Sequence, residues 1–131
     1  MTRGKVVLVP FPFDDLATQK ARPAVCLTEP VTSHRHIVLA FVTSRQPDEP
    51  LDTDIVLDPQ DPDFAQTGLQ VRSTIRIHRL PTVASSIIKR ELGSLSPSLQ
   101  ARVADAVRRL FALAPRDAGV GKAEPDVPSE A

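Results

Sequence analysis

The pattern that most narrows the fold is Gly4-Lys5-Val6-Val7-Leu8-Val9-Pro10-Phe11-Pro12-Phe13, then a polar loop, then Arg22-Pro23-Ala24-Val25-Cys26-Leu27. Two apolar, β-branched runs are joined by a loop that ends on an arginine held against a proline. A residue before proline is driven out of the helical region into extended backbone. Arg22 is therefore predicted at the mouth of a strand, its cation carried on stiff backbone beside a loop. A charge placed so suits an anion such as phosphate. The short runs with proline between them favour a small β-barrel over a parallel α/β sheet.

The remaining chain fits that expectation. Val6–Val9 reads as a strand buried on both faces, Ala24–Thr28 as a second and His36–Thr43 as a third. Asp54–Leu57 reads as a short fourth strand. From Val71 the chain alternates: Val71, Ser73, Ile75 and Ile77 fall on one side, and Arg72, Thr74, Arg76 and His78 on the other. A period of two predicts a fifth, half-buried strand whose polar face carries two arginines. Val83–Leu92 is predicted to hold a short helix ended by Gly93. Ser96-Pro97 then starts a helix, with a serine cap and proline in the first turn. Leu99, Val103, Ala106, Val107, Leu110, Phe111 and Ala114 recur at helical spacing until Pro115.

The expectation is one mainly β domain over residues 1–114 with a closing C-terminal helix. Residues 115–131 are expected to be a disordered tail, because they offer little to bury. No stretch is long enough to span a membrane as a helix, and there is no signal-peptide pattern. The single Cys26, inside an apolar run, reads as a core residue in a reducing compartment, hence a cytoplasmic expectation.

Sixteen basic and sixteen acidic residues cancel, so net charge does not select a partner. Their distribution is uneven. Seven acidic residues and no basic one lie between Asp48 and Asp63, whereas Arg72–Arg90 holds five basic residues and no acidic one. The acidic stretch is expected to lie away from any anion site. Three histidines and one cysteine show no metal-ligand spacing, and no glycine-rich loop is present to cradle a nucleotide. No cofactor is expected.

The opening run with Arg22-Pro23-Ala24-Val25 resembles the MazF/PemK-type toxins of bacterial type II toxin–antitoxin systems. The resemblance continues through Val42-Thr43-Ser44, Thr67-Gly68-Leu69, Ser73-Thr74-Ile75-Arg76 and Leu92-Gly93-Ser94-Leu95-Ser96, over about residues 3 to 113. It implies an SH3-like barrel of the MazF/PemK/CcdB type, a homodimer, and a cognate antitoxin that blocks it. It also implies an endoribonuclease that cuts single-stranded RNA at short sequences without a metal. The implied catalytic pair falls on Arg22 and Thr43, with Ser44 as the substitute if the register moves by one. The chain departs from the family at Lys5, where many members carry an acidic residue.

RNA supplies its own nucleophile, the 2′-hydroxyl, so the protein need only align the attack and stabilise charge on the phosphoryl oxygens. A guanidinium meets two such oxygens at once, which suits Arg22. The Thr43 hydroxyl can donate to a phosphoryl oxygen or orient the 2′-hydroxyl. The expected products are a 2′,3′-cyclic phosphate and a 5′-hydroxyl. Phe11, Phe13, Lys20, Arg72, Thr74, Arg76 and His78 are the expected RNA-binding residues. The plainer readings stand beside these: Arg22 as a surface partner of Asp14 or Asp15, Thr43 as a strand-ending β-former, and the Arg72–His78 face as ordinary solvated surface. His34 and His36 read as an exposed loop pair more than as acid–base groups. On the same barrel, a gyrase poison or an inactive toxin-like binding protein are the competing functions.

Overall fold

The computed structural model describes residues 2–11 and 20–112. Among the described residues seven antiparallel strands form one sheet: β1 (Lys5–Phe11), β2 (Lys20–Cys26), β3 (His36–Thr43), β4 (Ile55–Leu57), β5 (Ser73–Arg76), β6 (Thr82–Ala84) and β7 (Arg90–Ser94). They are ordered β4-β5-β3-β2-β1-β7, and β6 pairs with the first half of β3. Helix α1 (Pro97–Leu110) follows the last strand. The expected barrel is thus a curled sheet built from more strands than the sequence suggested.

Its central strands are buried on both sides, which is why they read as continuous apolar runs. Val6, Val25, Ala40, Val42, Ile55, Leu57 and Ile75 join Leu99, Val103 and Ala106 of α1 in one core. The opposite face of β1–β3 gives a second, smaller core from Val7, Val9, Ala24, Cys26, Ile37, Leu39 and Phe41. Val83, Ile87 and Ile88 cover that second core.

The helix predicted over 83–92 is corrected by the structure. That segment is β6, a 3-10 turn (Ser85–Ile87) and β7. Pairing decides this: Val83 lies opposite Ile37 in β3, and Arg90 lies opposite Leu8 in β1, so the segment completes two ladders. Strand β2 begins at Lys20, ahead of the predicted Ala24, and Arg22 lies within it. Helix α1 starts as read, with Leu99 N–H donating to Ser96 Oγ at 3.2 Å. Residues Ala114, Pro115 and the predicted tail lie outside the described residues.

The two outer strands of the sheet, β4 and β7, do not pair. The seam between them is met by the 3-10 turn Ala65–Thr67, whose C-cap Gly68 has φ +76°. Gly68 and Gly93 lie backbone against backbone there, too close for a side chain on either. Two of the motifs noted in the sequence therefore meet in space to finish the curl.

Candidate functional site

Strands β2 and β3 pair only through Ala24–Phe41, Val25–Ala40 and Cys26–Leu39. Pro23, which has no N–H to give to a ladder, immediately precedes the last rung. Carrying the register two residues further sets Arg22 across from Thr43, on the face that holds Ala24 and Phe41. A cavity of about 440 Å³ occupies this place, lined by Arg22, Thr43, Ser44, Arg76 and others over a floor of Phe41 and Val42. The sequence puts these groups in three different strands or their ends. The fold brings them to one mouth.

The hydroxyl of Thr43 accepts from the N–H of Arg45 at 3.1 Å. This turns the chain out of β3 and leaves the Thr43 O–H free to donate. Arg45 and Asp48, in the following loop, also line the cavity, as does Arg79. Arg79 lies over the Phe41 ring at 5.5 Å, a cation–π contact. Among the described residues the lining holds four guanidinium groups and one carboxylate, a net positive charge.

Arg76 is held differently. Its Nε approaches Asp54 Oδ1 at 2.9 Å, an ion pair without hydrogen-bond alignment, and its Nη2 donates to the Glu49 carbonyl at 3.3 Å. These side chains are only 17% and 7% exposed. The acidic stretch is therefore not remote from the basic groups, as the sequence had suggested: Asp48 lines the cavity and Asp54 grips one of its arginines.

Of the predicted site residues, Arg22, Thr43, Ser44 and Arg76 come together. Arg72, Thr74, Lys20 and His78 do not line the cavity. Arg72 precedes β5 and donates to Asp58 at 3.2 Å. Thr74 is buried, because β5 is an inner strand with β3 on one side and β4 on the other. Val71, assigned to the apolar side, is 55% exposed because the strand begins only at Ser73. His78 and Lys20 are exposed. Phe13, the Phe11 side chain, Asp14 and Asp15 lie outside the described residues.

Lys5, the departure from the family pattern, pairs with Glu91 at 2.9 Å across β1 and β7, away from the cavity. His36 Nδ1 lies 3.1 Å from the Thr32 hydroxyl, and the His34 ring packs edge-on to it; neither lines the cavity. Among the described residues no three His, Cys, Asp or Glu side chains gather as a metal site requires. No described helix is long and apolar enough to cross a membrane. The sequence reading missed Arg45, Asp48 and Arg79. Arg79 had a signal, since it follows Arg76 by one turn of chain just past the alternating strand.

Residues 2–111 match the family described as PemK-like, MazF-like toxin of type II toxin-antitoxin system. The chain belongs to this family. No curated protein matches its sequence. Among solved structures, the Mycobacterium tuberculosis toxin MazF-mt6 is similar at a TM-score of 0.64 and 23% identity, covering 84% of this chain and 98% of that one. The MazE-MazF structure from Deinococcus radiodurans gives a TM-score of 0.65 at 17% identity, covering 87% and 98%. A mycobacterial endoribonuclease in complex with its cognate antitoxin gives 0.61 at 17% identity, covering 87% and 97%. At such identities the likeness is one of fold. This chain therefore carries the PemK-like curled sheet, closed by one C-terminal helix, with an arginine-lined cavity at the β2–β3 mouth.

Proposed function

We propose that this PemK/MazF-family toxin is an endoribonuclease that cleaves single-stranded RNA by transesterification, with Arg22 and Thr43 as its catalytic pair. The observation that carries the reading is the convergence of these two side chains, 21 positions apart in the chain, on one positively lined cavity. The 2′-oxygen bonds to phosphorus and the bond to the 5′-oxygen breaks. The proton released from the 2′-hydroxyl passes to solvent, and the 5′-oxygen takes up another. The products are a 2′,3′-cyclic phosphate and a 5′-hydroxyl.

Arg22 stabilises the charge that builds on the phosphoryl oxygens, through a fork that matches two of them. The Thr43 hydroxyl, its acceptor side engaged by Arg45, donates to a phosphoryl oxygen. Ser44 stands beside it. Arg45, Arg76 and Arg79 meet neighbouring phosphates. The requirement for a 2′-hydroxyl restricts the substrate to RNA. The family and the endoribonucleases of similar fold favour this over a gyrase poison or an inactive binding protein.

The same reading gives the protein a cognate antitoxin, as in the MazE–MazF and endoribonuclease–antitoxin complexes of similar fold. It gives a homodimer, supported by the apolar groove beside α1 and by Phe111, which is 56% exposed. The buried free thiol of Cys26 suits the cytoplasm.

The test is RNA incubated with purified protein and excess EDTA. The wild type is expected to cut at a short sequence. Arg22→Ala, folded as judged by circular dichroism, is expected to lose about 10²–10³ in rate, the scale of losing one transition-state donor. Uncut RNA with the wild type overturns the proposal.

A further inference from the structure

A carboxylate beside a phosphate-binding cavity repels the substrate, so its presence there calls for a reason. Asp54 is such a group, and it is nearly buried. It is itself firmly placed: Leu51 N–H donates to Asp54 Oδ2 at 2.9 Å, and Asp54 N–H donates to the Leu51 carbonyl at 3.0 Å. The short turn from Leu51 to Asp54 thus fixes the carboxylate, and the carboxylate meets Nε of Arg76. The Glu49 carbonyl takes Nη2. Two of the three guanidinium nitrogens meet this one loop, Nε in the ion pair and Nη2 in a hydrogen bond, while among the described residues Nη1 makes no hydrogen bond and Arg76 lines the cavity.

We propose that Asp54 is a positioning residue for RNA cleavage, fixing Arg76 in one rotamer so that its free nitrogen meets the reacting strand at a set angle. The proposal rests on the nuclease reading above. An arginine side chain has large rotamer freedom, and an unanchored one in the cavity would bind phosphate in many poses. Alignment of the reacting groups, not attraction alone, sets the rate of an in-line attack. Asp54 thus acts through Arg76 and never touches RNA. Replacing both partners of a buried pair by apolar residues is close to neutral, but removing one leaves the other charge uncompensated, so the test must separate a loss of stability from a loss of alignment.

The test compares wild type with the isosteric Asp54→Asn in two assays. One is cleavage at saturating RNA, and the other is binding of a 2′-O-methyl RNA that cannot be cut. Removing a negative charge beside the RNA path strengthens binding or leaves it unchanged, whereas cleavage is expected to fall about 10- to 100-fold, the cost of modest misplacement. Unchanged cleavage overturns the proposal. So does a parallel fall in cleavage, binding and thermal midpoint, which marks a merely structural role. A second measurement needs no variant: because Arg76 Nε is buried against the Asp54 carboxylate, its N–H signal in nitrogen-15 NMR should exchange slowly with water in the wild type, and exchange as fast as free arginine shows that the guanidinium leaves this place and overturns the anchor. Wild-type protein that cuts RNA while Asp54→Asn cuts equally well sinks only the positioning role. Wild-type protein that leaves RNA whole sinks the nuclease reading and the role of Asp54 in cleavage together.

Discussion

Replacing Gly68 by alanine tests how the sheet is closed. Gly68 has φ +76°, and a Cβ there would fall on the Leu92 carbonyl oxygen and within 2.5 Å of its carbon. These are backbone atoms of β7, so no side chain can swing aside. The left-handed conformation costs alanine about 1–2 kcal/mol. Forcing an extra methyl into packed backbone adds about 1–3 kcal/mol. The expected loss is therefore about 2–5 kcal/mol, a large part of the ~5–15 kcal/mol that holds a domain together. Gly93→Ala suffers only the second cost, since its Cβ would meet Gln66 and Thr67 backbone without a positive φ. In a domain of this size, 1 kcal/mol corresponds to about 4 °C, so Gly68→Ala should lower the thermal midpoint by about 8 °C or more, and Gly93→Ala by less. Calorimetry or circular dichroism on the purified variants reads this directly. Midpoints within about 2 °C of wild type for both would refute the argument that these two backbones close the seam.

Two further outcomes follow from single groups. Burial, and then the nearby Glu91 carboxylate, push the Cys26 thiol up to about 11, so the folded chain keeps its proton where the unfolded chain, titrating near ~8.5, loses it. The stability this contributes is intact below ~8.5 and lost as pH rises toward 11; urea midpoints should fall over that range in wild type more steeply than in Cys26→Val. In the cavity, Arg45→Ala should flatten the dependence of RNA affinity on salt by about 0.7 in the logarithmic slope, the value of one single-strand phosphate contact. An unchanged slope removes Arg45 from the RNA path.

Much of this fold was legible because the chain writes it in local terms. Val6–Val9 and His36–Thr43 are runs apolar on both faces, and they are inner strands with a core on either side. Ser96-Pro97 states its own helix start. Arg22 stood out through the proline after it, whereas Thr43 came only from the resemblance to the family; the structure sets both on one cavity. Long-range pairing was not legible. Val83, Ile87 and Ile88 have a spacing that suits a helix, yet the edges of β3 and β1 claimed the segment for strands. The alternation from Val71 to His78 told which residues share a face but not that β4 would cover one end of it, burying Thr74. Nor could a run of acidic residues announce that one of them, Asp54, would fold back onto Arg76.

On the proposed mechanism a guanidinium and a hydroxyl act as one unit on a single phosphodiester. A double-mutant cycle with Arg22→Ala and Thr43→Val, read as single-turnover cleavage of one RNA in EDTA, tests it most directly. Groups that work together on one transition state are strongly non-additive, so the double variant should be little slower than the slower single variant. A double variant whose loss equals the product of the two single losses shows that the two groups act independently and overturns the pairing.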